Sequence, residues 1–316
     1  MSIRRATIKS LAKINLDLRV LHQRPDGFHE LRTVFQTISL ADTIDIEYEP
    51  ARRTNISIDD PLAIPGNLVV RAAQAVLDDL KIHARVHFRL RKKIPMGGGL
   101  GGGSSNAAAV LLALPVLAGK ALESDIGSTL GSDVPFFLGG GTAIGIGRGT
   151  EVYEIPDLKP EPILLVSPGP QVATGPAYKA MGRGLTASDS SSKINEFQAF
   201  VRVLASGRSA GAASPFSAND FEAVVFREFP QLQTIGRKLS KLGAGVRMTG
   251  SGSTIFGVFG SRAERDCAEA ALRGRHLVFP ASLVSRADYR RLWRRQLSEH
   301  LGGEKSLWPL QSRYAK

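Results

Sequence analysis

The sequence predicts a two-domain α+β protein. Three observations carry that expectation. At 316 residues the chain is long for a single hydrophobic core. Segments that alternate with period two are interleaved with segments of helical period. Around residues 156–162 the composition shifts to Pro, Asp, Lys and Glu, the composition of a boundary.

Residues 11–20, LAKINLDLRV, alternate: Ile14, Leu16, Leu18 and Val20 face one way, and Lys13, Asn15, Asp17 and Arg19 the other. Residues 24–29, RPDGFH, are turn chemistry. Strands follow over 31–40 and 42–48, a helix over 67–80 and a strand over 82–90. In the last, His83, Arg85, His87 and Arg89 form a polar strand face, with no metal expected. A helix follows PMGGGLGGGSSN, a short helix ends near Gly131, and SDVPFFLGGGTAIGIG reads as a turn into a strand. The second half opens with the strand ILLVSPG. A Ser/Ala/Gly-rich stretch over 182–218 is expected to be irregular at its ends. A helix over 219–241, the strand–turn–strand VRMTGSGSTIFGVF, a helix over 262–272 and a strand over 276–279 complete an α+β unit. The predicted domains are 1–158 and 159–285, followed by a basic extension, 286–316.

With 43% hydrophobic and 22% charged residues, the chain has an ordinary globular composition. A single cysteine, Cys267, excludes an intrachain disulfide and suits a reducing cytoplasm. The apolar run 107–119 contains Pro115 and is too short to span a bilayer. Lys9, Lys13 and Asp17 interrupt any signal-peptide core, so a cytoplasmic protein without an anchor is expected. The net charge is +12, and residues 285–316 hold eight Lys/Arg against three Asp/Glu. Such a surface attracts anionic nucleotides or phosphoesters, and it is also compatible with nucleic acid. Tyr289, Trp293 and Trp308 could then stack on bases, and a solvated basic helix is an equal reading.

The glycine run is the most informative segment. Strand, glycine loop and helix in that order make a phosphate cradle: glycines let backbone N–H groups crowd an anion, and the helix adds its unpaired first-turn N–H groups. A Walker-type loop would need Lys where Ser104 stands. Gly97, Gly99 and Gly102 satisfy G-x-G-x-x-G, but the acidic residue at dinucleotide spacing, Glu123, falls in a helical and not a strand context. A flexible hinge is the bland alternative. On pattern alone Lys13 fits an exposed strand lysine, Asp133 a turn or N-cap aspartate, and GSGS at 250–253 either a hairpin loop or a second anion nest.

PMGGGLGGGSSNAA resembles the ATP-phosphate loop of the GHMP kinases. Three further segments are similar to one branch of that family, which phosphorylates a cytidine diphosphate-linked methylerythritol in non-mevalonate isoprenoid synthesis. They are SLAKINLDLRVLHQRPDGFHELRTVFQTI, LGSDVPFFLGGGTAIGIGRG and RMTGSGSTIFGVF, and the similarity runs from about residue 9 to about residue 285.

The resemblance implies a ribosomal protein S5 domain 2-like N-terminal domain, a ferredoxin-like C-terminal domain and a site between them. It makes Lys13 and Asp133 the catalytic pair, with Asp133 accepting the hydroxyl proton. It gives the ATP phosphates to Pro95, Met96, Gly97, Gly98, Gly99, Leu100, Gly101, Gly102, Gly103, Ser104 and Ser105, with Ser104 or Ser105 helping to place Mg²⁺. Asn67, Leu68 and Val69 would lie near the adenine. Asn15 and His29 would bond the cytidine side of the substrate, and Phe28 and Tyr178 would sandwich the cytosine, with Phe35 nearby.

The chain departs from the family pattern in several places. Phe28 stands where the family usually has Tyr, and Thr150 where Glu is common. The segment between Ser105 and Asp133 is about one helical turn short, and the tail after residue 285 has no expected counterpart. The rivals are another GHMP small-molecule kinase, a dinucleotide-dependent oxidoreductase, and a nucleic-acid-binding protein on the same fold. Intact Lys13, Asp133 and glycine loop argue against the last.

Overall fold

The computed structural model describes residues 3–169, 174–181, 187–206, 217–302 and 307–315. The first half contains β1 (Arg4–Gln23), β2 (His29–Pro50), β3 (Asn55–Asp59), α1 (Leu68–Asp79), β4 (Ala84–Arg91), α2 (Gly102–Ala118), α3 (Gly127–Leu130), α4 (Val134–Gly139), β5 (Thr142–Gly147) and β6 (Glu151–Glu154).

β1 and β2 form one long antiparallel hairpin, from Arg4 opposite Tyr48 to Gln23 opposite His29. The two strands expected over 31–48 are therefore a single strand, because backbone pairing to β1 continues past Ala41. The other edge of β2 is shared. Its 43–50 portion pairs with β4 and its 31–36 portion with β5. β3 runs parallel to β4 and β6 antiparallel to β5 at the two margins.

α1 starts at Asn67, whose side-chain oxygen accepts from Val69 N at 3.0 Å. It buries Val69, Ala72, Ala73, Val76 and Leu77, the face expected of its pattern. α2 is buried on every side from Ser105 to Leu117, as an Ala/Leu-rich helix at the centre of a core must be. Where a turn into a strand was expected after residue 132, Val134–Gly139 forms helix α4 before β5 begins. Pro135 fits its first turn.

The second half contains β7 (Pro162–Ser167), α5 (Thr174–Met181), α6 (Ala187–Ala205), α7 (Phe221–Glu228), α8 (Pro230–Lys241), β8 (Gly245–Met248), β9 (Ile255–Val258), α9 (Arg262–Leu272) and β10 (Leu277–Ser282), followed by α10 (Arg286–Gln296). Its sheet has the order β10-β7-β9-β8, all antiparallel, with helices joining β7 to β8 and β9 to β10. This is the ferredoxin-like split βαβ arrangement. The helix expected over 219–241 breaks at Phe229 (φ −126°, ψ 73°), because Pro230 excludes the residue before it from the helical region. The expected irregular ends of 182–218 fall largely outside the described residues, and α6 lies between them.

Three apolar clusters organise the chain. The first fills the space between the large sheet and α1 and α2. The third lies beneath the small sheet, with Phe221, Leu232, Ile235 and Leu239. The second joins the halves: Ile14, Leu16 and Ile38 meet Ile163, Leu165 and Phe256, with Phe197 and Phe200 of α6. A cleft along β1 is thereby held between two packed bodies.

The basic extension folds back on the first half. Tyr289 and Trp293 of α10 and Leu297 just after it belong to the first cluster, and Trp308 packs against it. Tyr289 and Trp293 are thus core residues, unavailable for stacking on bases; burial of their apolar area outweighs any exposed role. Much of the positive charge on the outer face of the large sheet is matched across strands. Arg5–Glu47, Arg85–Glu49 and Arg91–Asp45 each close at 2.8 Å. His83 and His87 meet Thr54 and Ser57 hydroxyls at 3.0 and 2.9 Å. Among the described residues no helix is long and apolar enough to cross a membrane.

Candidate functional site

A cleft of about 950 Å³ opens where β1, the glycine loop, the start of α4, α5 and the GSGS turn converge. Of the residues singled out in the sequence, Lys13, Asn15, Phe28, His29, Phe35, Gly99, Gly101, Ser104, Asp133 and Tyr178 line it.

The glycine loop forms one wall. Gly97, Gly99 and Gly101 have φ of 65°, 75° and 69°, values that glycine adopts without penalty. Gly99 also meets the GSGS turn backbone to backbone; a β-carbon there would stand 2.1 Å from Thr249 O. Thr249 Oγ1 donates to Gly99 O at 3.2 Å and closes the contact. α2 begins immediately after the loop with no side-chain cap, so its first-turn N–H groups lack intrahelical partners and can receive an anion.

Behind the loop lies a residue the sequence reading missed. Asp42, fully buried, accepts from Lys93 N at 2.7 Å, Ile94 N at 2.8 Å and Asn106 Nδ2 at 3.0 Å, and pairs with Lys92. It fixes both the entry to the loop and the helix after it. The signal was an acidic residue in the middle of an otherwise strand-like run.

Ser105 points away from the cleft. Its hydroxyl donates to Leu11 O at 2.6 Å and meets Ser10, which leaves Ser104 as the loop serine facing the cleft. Leu100 is buried and Met96 exposed, while Pro95, Gly97, Gly98, Gly102 and Gly103 stand outside the cleft lining. Asn67, Leu68 and Val69 also lie off the cleft. Val69 is in the core, and Leu68 reaches 3.4 Å from where a Gly103 β-carbon would sit, so α1 and α2 start side by side.

Lys13 and Asp133 meet at the base of the loop. Lys13 leaves β1 beside a register shift and is only 3% exposed. A buried ammonium needs partners. Its Nζ donates to Asn15 Oδ1 at 2.7 Å, lies 3.4 Å from Asp133 Oδ2 and is 5.6 Å from the centre of the Phe35 ring. Asn15 is a hub. Its Oδ1 also accepts from Gly250 N at 3.0 Å, and its Nδ2 donates to Thr33 Oγ1 at 2.8 Å. One amide thus ties the lysine to the GSGS turn. Asp133, at the N-cap position of α4, has a side chain 29% exposed toward the cleft.

The far end of the cleft is aromatic. His29 and Tyr178 stack with ring centres 5.0 Å apart at 24°, and Phe221 meets Tyr178 edge-on at 4.8 Å. Phe28 is half exposed, with the Arg148 guanidinium 4.5 Å from its ring centre. Burial lowers the pKa of His29 below its ordinary value. Its Nε2 is buried without a hydrogen-bond partner, an unmet capacity aimed at this region. Burial, assisted by the nearby Asp133 charge, raises the Tyr178 phenol well above its ordinary value. Arg148 and Phe221 were not foreseen, since they reach Phe28 and Tyr178 across 120 and 43 residues of sequence.

The GHMP kinases N terminal domain family matches residues 67–141, and the GHMP kinases C terminal family residues 200–276. A 4-diphosphocytidyl-2-C-methyl-D-erythritol kinase from Solibacter usitatus is 52% identical over 98% of both chains, so the similarity reaches into the basic extension, which was expected to have no counterpart. The protein of that name from Syntrophotalea carbinolica is 37% identical over 82% of this chain and 90% of its own. A crystal structure of 4-(cytidine 5'-diphospho)-2C-methyl-D-erythritol kinase superposes with a TM-score of 0.72 at 35% identity, covering 88% of this chain and 98% of the other. The Methanococcus jannaschii mevalonate kinase, at 14% identity, shares the fold with a TM-score of 0.65. The chain belongs to the GHMP kinases, in the family of 4-diphosphocytidyl-2-C-methyl-D-erythritol kinases.

Proposed function

We infer that this chain transfers the γ-phosphoryl group of ATP to the 2-hydroxyl of 4-diphosphocytidyl-2-C-methyl-D-erythritol, a step of non-mevalonate isoprenoid synthesis, in the cytoplasm. The observation that carries the reading is the Lys13–Asp133 pair, set at 3.4 Å between the glycine loop and the aromatic end of one cleft.

Phosphoryl transfer asks a protein mainly for positioning and charge stabilisation. The loop and the first turn of α2 supply backbone donors for the phosphates. Asp133, open to the cleft, accepts the proton of the attacking hydroxyl. Lys13, held by Asn15, orients Asp133 and stabilises the charge that develops on the transferring group. Asn15 has its oxygen engaged by Lys13 and Gly250, which favours positioning of the lysine over direct contact with cytidine. Tyr178, His29 and Phe28 supply flat faces for the cytosine, and the free Nε2 of His29 supplies a polar contact. Leu68 lies beside the start of α2, which supports the start of α1, Asn67–Val69, as the adenine side.

Among the described residues no group of three or more His, Cys, Asp or Glu gathers as a metal cage. That suits a Mg²⁺ carried by phosphates, for which Ser104 and Asp133 are the protein groups at hand. Such an ion would supply further charge neutralisation.

The test is ADP release with the purified protein and each of three acceptors. Turnover with 4-diphosphocytidyl-2-C-methyl-D-erythritol is expected. Turnover of homoserine or mevalonate in its place would overturn the substrate assignment and leave the family unchanged.

A further inference from the structure

α4 carries Asp133 at its start, yet it is only six residues long and runs into Gly139, Gly140 and Gly141. A helix of that length has no stability of its own and takes its position from what packs on it. On the inner side, Phe136 meets Phe35 with ring centres 4.9 Å apart, and Phe137 abuts Gly101 of the phosphate loop.

The outer side is covered by the C-terminal extension. Tyr289 Oη donates to Phe137 O, and Trp308 Nε1 donates to Leu138 O at 3.0 Å. These carbonyls belong to the last turn of α4, where a helix has no N–H donors of its own to offer them. The Tyr289 ring also lies directly on Gly140, where a β-carbon would come within 2.4 Å of it.

The extension is itself fastened to rigid parts of the site. Ser312 Oγ donates to Val116 O at 2.6 Å, at the end of the helix that begins with the phosphate loop. His300 Nε2 meets Arg5 O at 2.7 Å, at the start of the strand that carries Lys13. The same segment therefore grips the far ends of α2, β1 and α4.

We propose that the C-terminal extension is a strap that sets the position of Asp133, with Tyr289 and Trp308 as positioning residues acting through the last turn of α4; this rests on Asp133 being the base. Asp133 and Lys13 approach from different elements, so a small displacement of α4 changes their separation directly. Misplacement on the order of 1 Å can cost as much as about a hundredfold in rate.

The experiment compares Tyr289→Phe, Trp308→Phe and the double variant, all in the full chain, with Asp133→Asn as control. Each aromatic substitution keeps a ring and removes the donor. The double variant should lose roughly tenfold in kcat, with KM for ATP changed less than about twofold, and Tyr289→Phe alone should show a smaller loss of the same kind. Thermal melts establish that each variant is folded. A folded double variant with wild-type kcat, or one in which only the melting temperature falls, overturns the strap and leaves Asp133 as the base. Should the double variant fail to fold, Tyr289→Phe alone decides the matter by the same two measurements. Wild-type turnover by Asp133→Asn would instead remove the base assignment and the strap with it.

Discussion

Lys13 Nζ lies 3.4 Å from Asp133 Oδ2, and the two side chains differ sharply in access: 4% of the lysine side chain is exposed against 29% of the aspartate. A fixed cation thus faces a carboxylate that a substrate can still reach. Asp133→Asn preserves shape and removes the proposed proton acceptor. Turnover should fall by roughly 10²–10⁴, while ATP affinity by calorimetry stays near that of the native protein, because the proposed phosphate contacts are backbone groups. Retention of near-native turnover would show that the proton leaves by another route.

Asn15 offers one oxygen to three donors, Lys13 Nζ, Gly250 N and Thr249 Oγ1. Asn15→Leu keeps approximate volume, strands Gly250 N and leaves Lys13 Nζ with Asp133 as its remaining polar partner. Each buried donor left unpaired costs about 1–3 kcal/mol, so urea unfolding should shift by that scale or more, and kcat should fall because Lys13 loses its anchor. An unchanged urea midpoint would mean that water replaces the amide at no cost.

The Gly99 contact with Thr249 separates a steric effect from a backbone effect. At Gly99 a β-carbon would stand 2.1 Å from Thr249 O, while at Gly243, with φ of 89°, nothing lies within 4 Å. Gly243→Ala should cost only the left-handed penalty, about 1–2 kcal/mol, with kinetics untouched. Gly99→Ala should also push the loop off the GSGS turn and raise KM for ATP. Equal kinetic constants for the two variants would refute the role of that contact.

The strongly periodic elements were legible in the sequence. α1 and α9 occur where helical spacing placed them, and β1 contains the alternating segment 11–20 but extends from Arg4 to Gln23. The margins were not. β3 has an exposed–intermediate pattern with no buried face to leave a signature, and β6 is four residues long. α4 was invisible because its helicity depends on Phe136 and Phe137 packing inward, a tertiary cause. The glycine loop pointed to a phosphate site by composition, which the proposed function adopts, but its anchor at Asp42 and its seat on Thr249 are contacts across 52 and 150 residues. Tyr289 and Trp293 misled because five arginines surround them in the sequence; helical geometry puts the aromatics on one side, four residues apart.

Asp17 gives the fold a pH signature. It is fully buried on β1, accepts from Arg19 Nε at 3.1 Å and from Ala218 N at 2.8 Å, and so ties the strand of Lys13 to the second half. Burial pushes its carboxyl up to about 6, against the pull of Arg19. The unfolded chain releases this proton near the ordinary value of 3.8, and the folded chain holds it until about 6. Between those values the folded state binds more protons, so the contribution of Asp17 to stability falls as pH rises and is flat above 6. The span corresponds to about 3 kcal/mol. Asp26 and Glu30 are held below their ordinary values by hydrogen bonds and nearby arginines and oppose the trend, so the readout is the difference from Asp17→Asn. Urea unfolding from pH 4 to 7 should show the native protein losing stability relative to that variant up to pH 6 and no further. A difference that stays constant across the range would mean that Asp17 ionises in the folded protein as it does in the unfolded chain, its burial fully offset by Arg19.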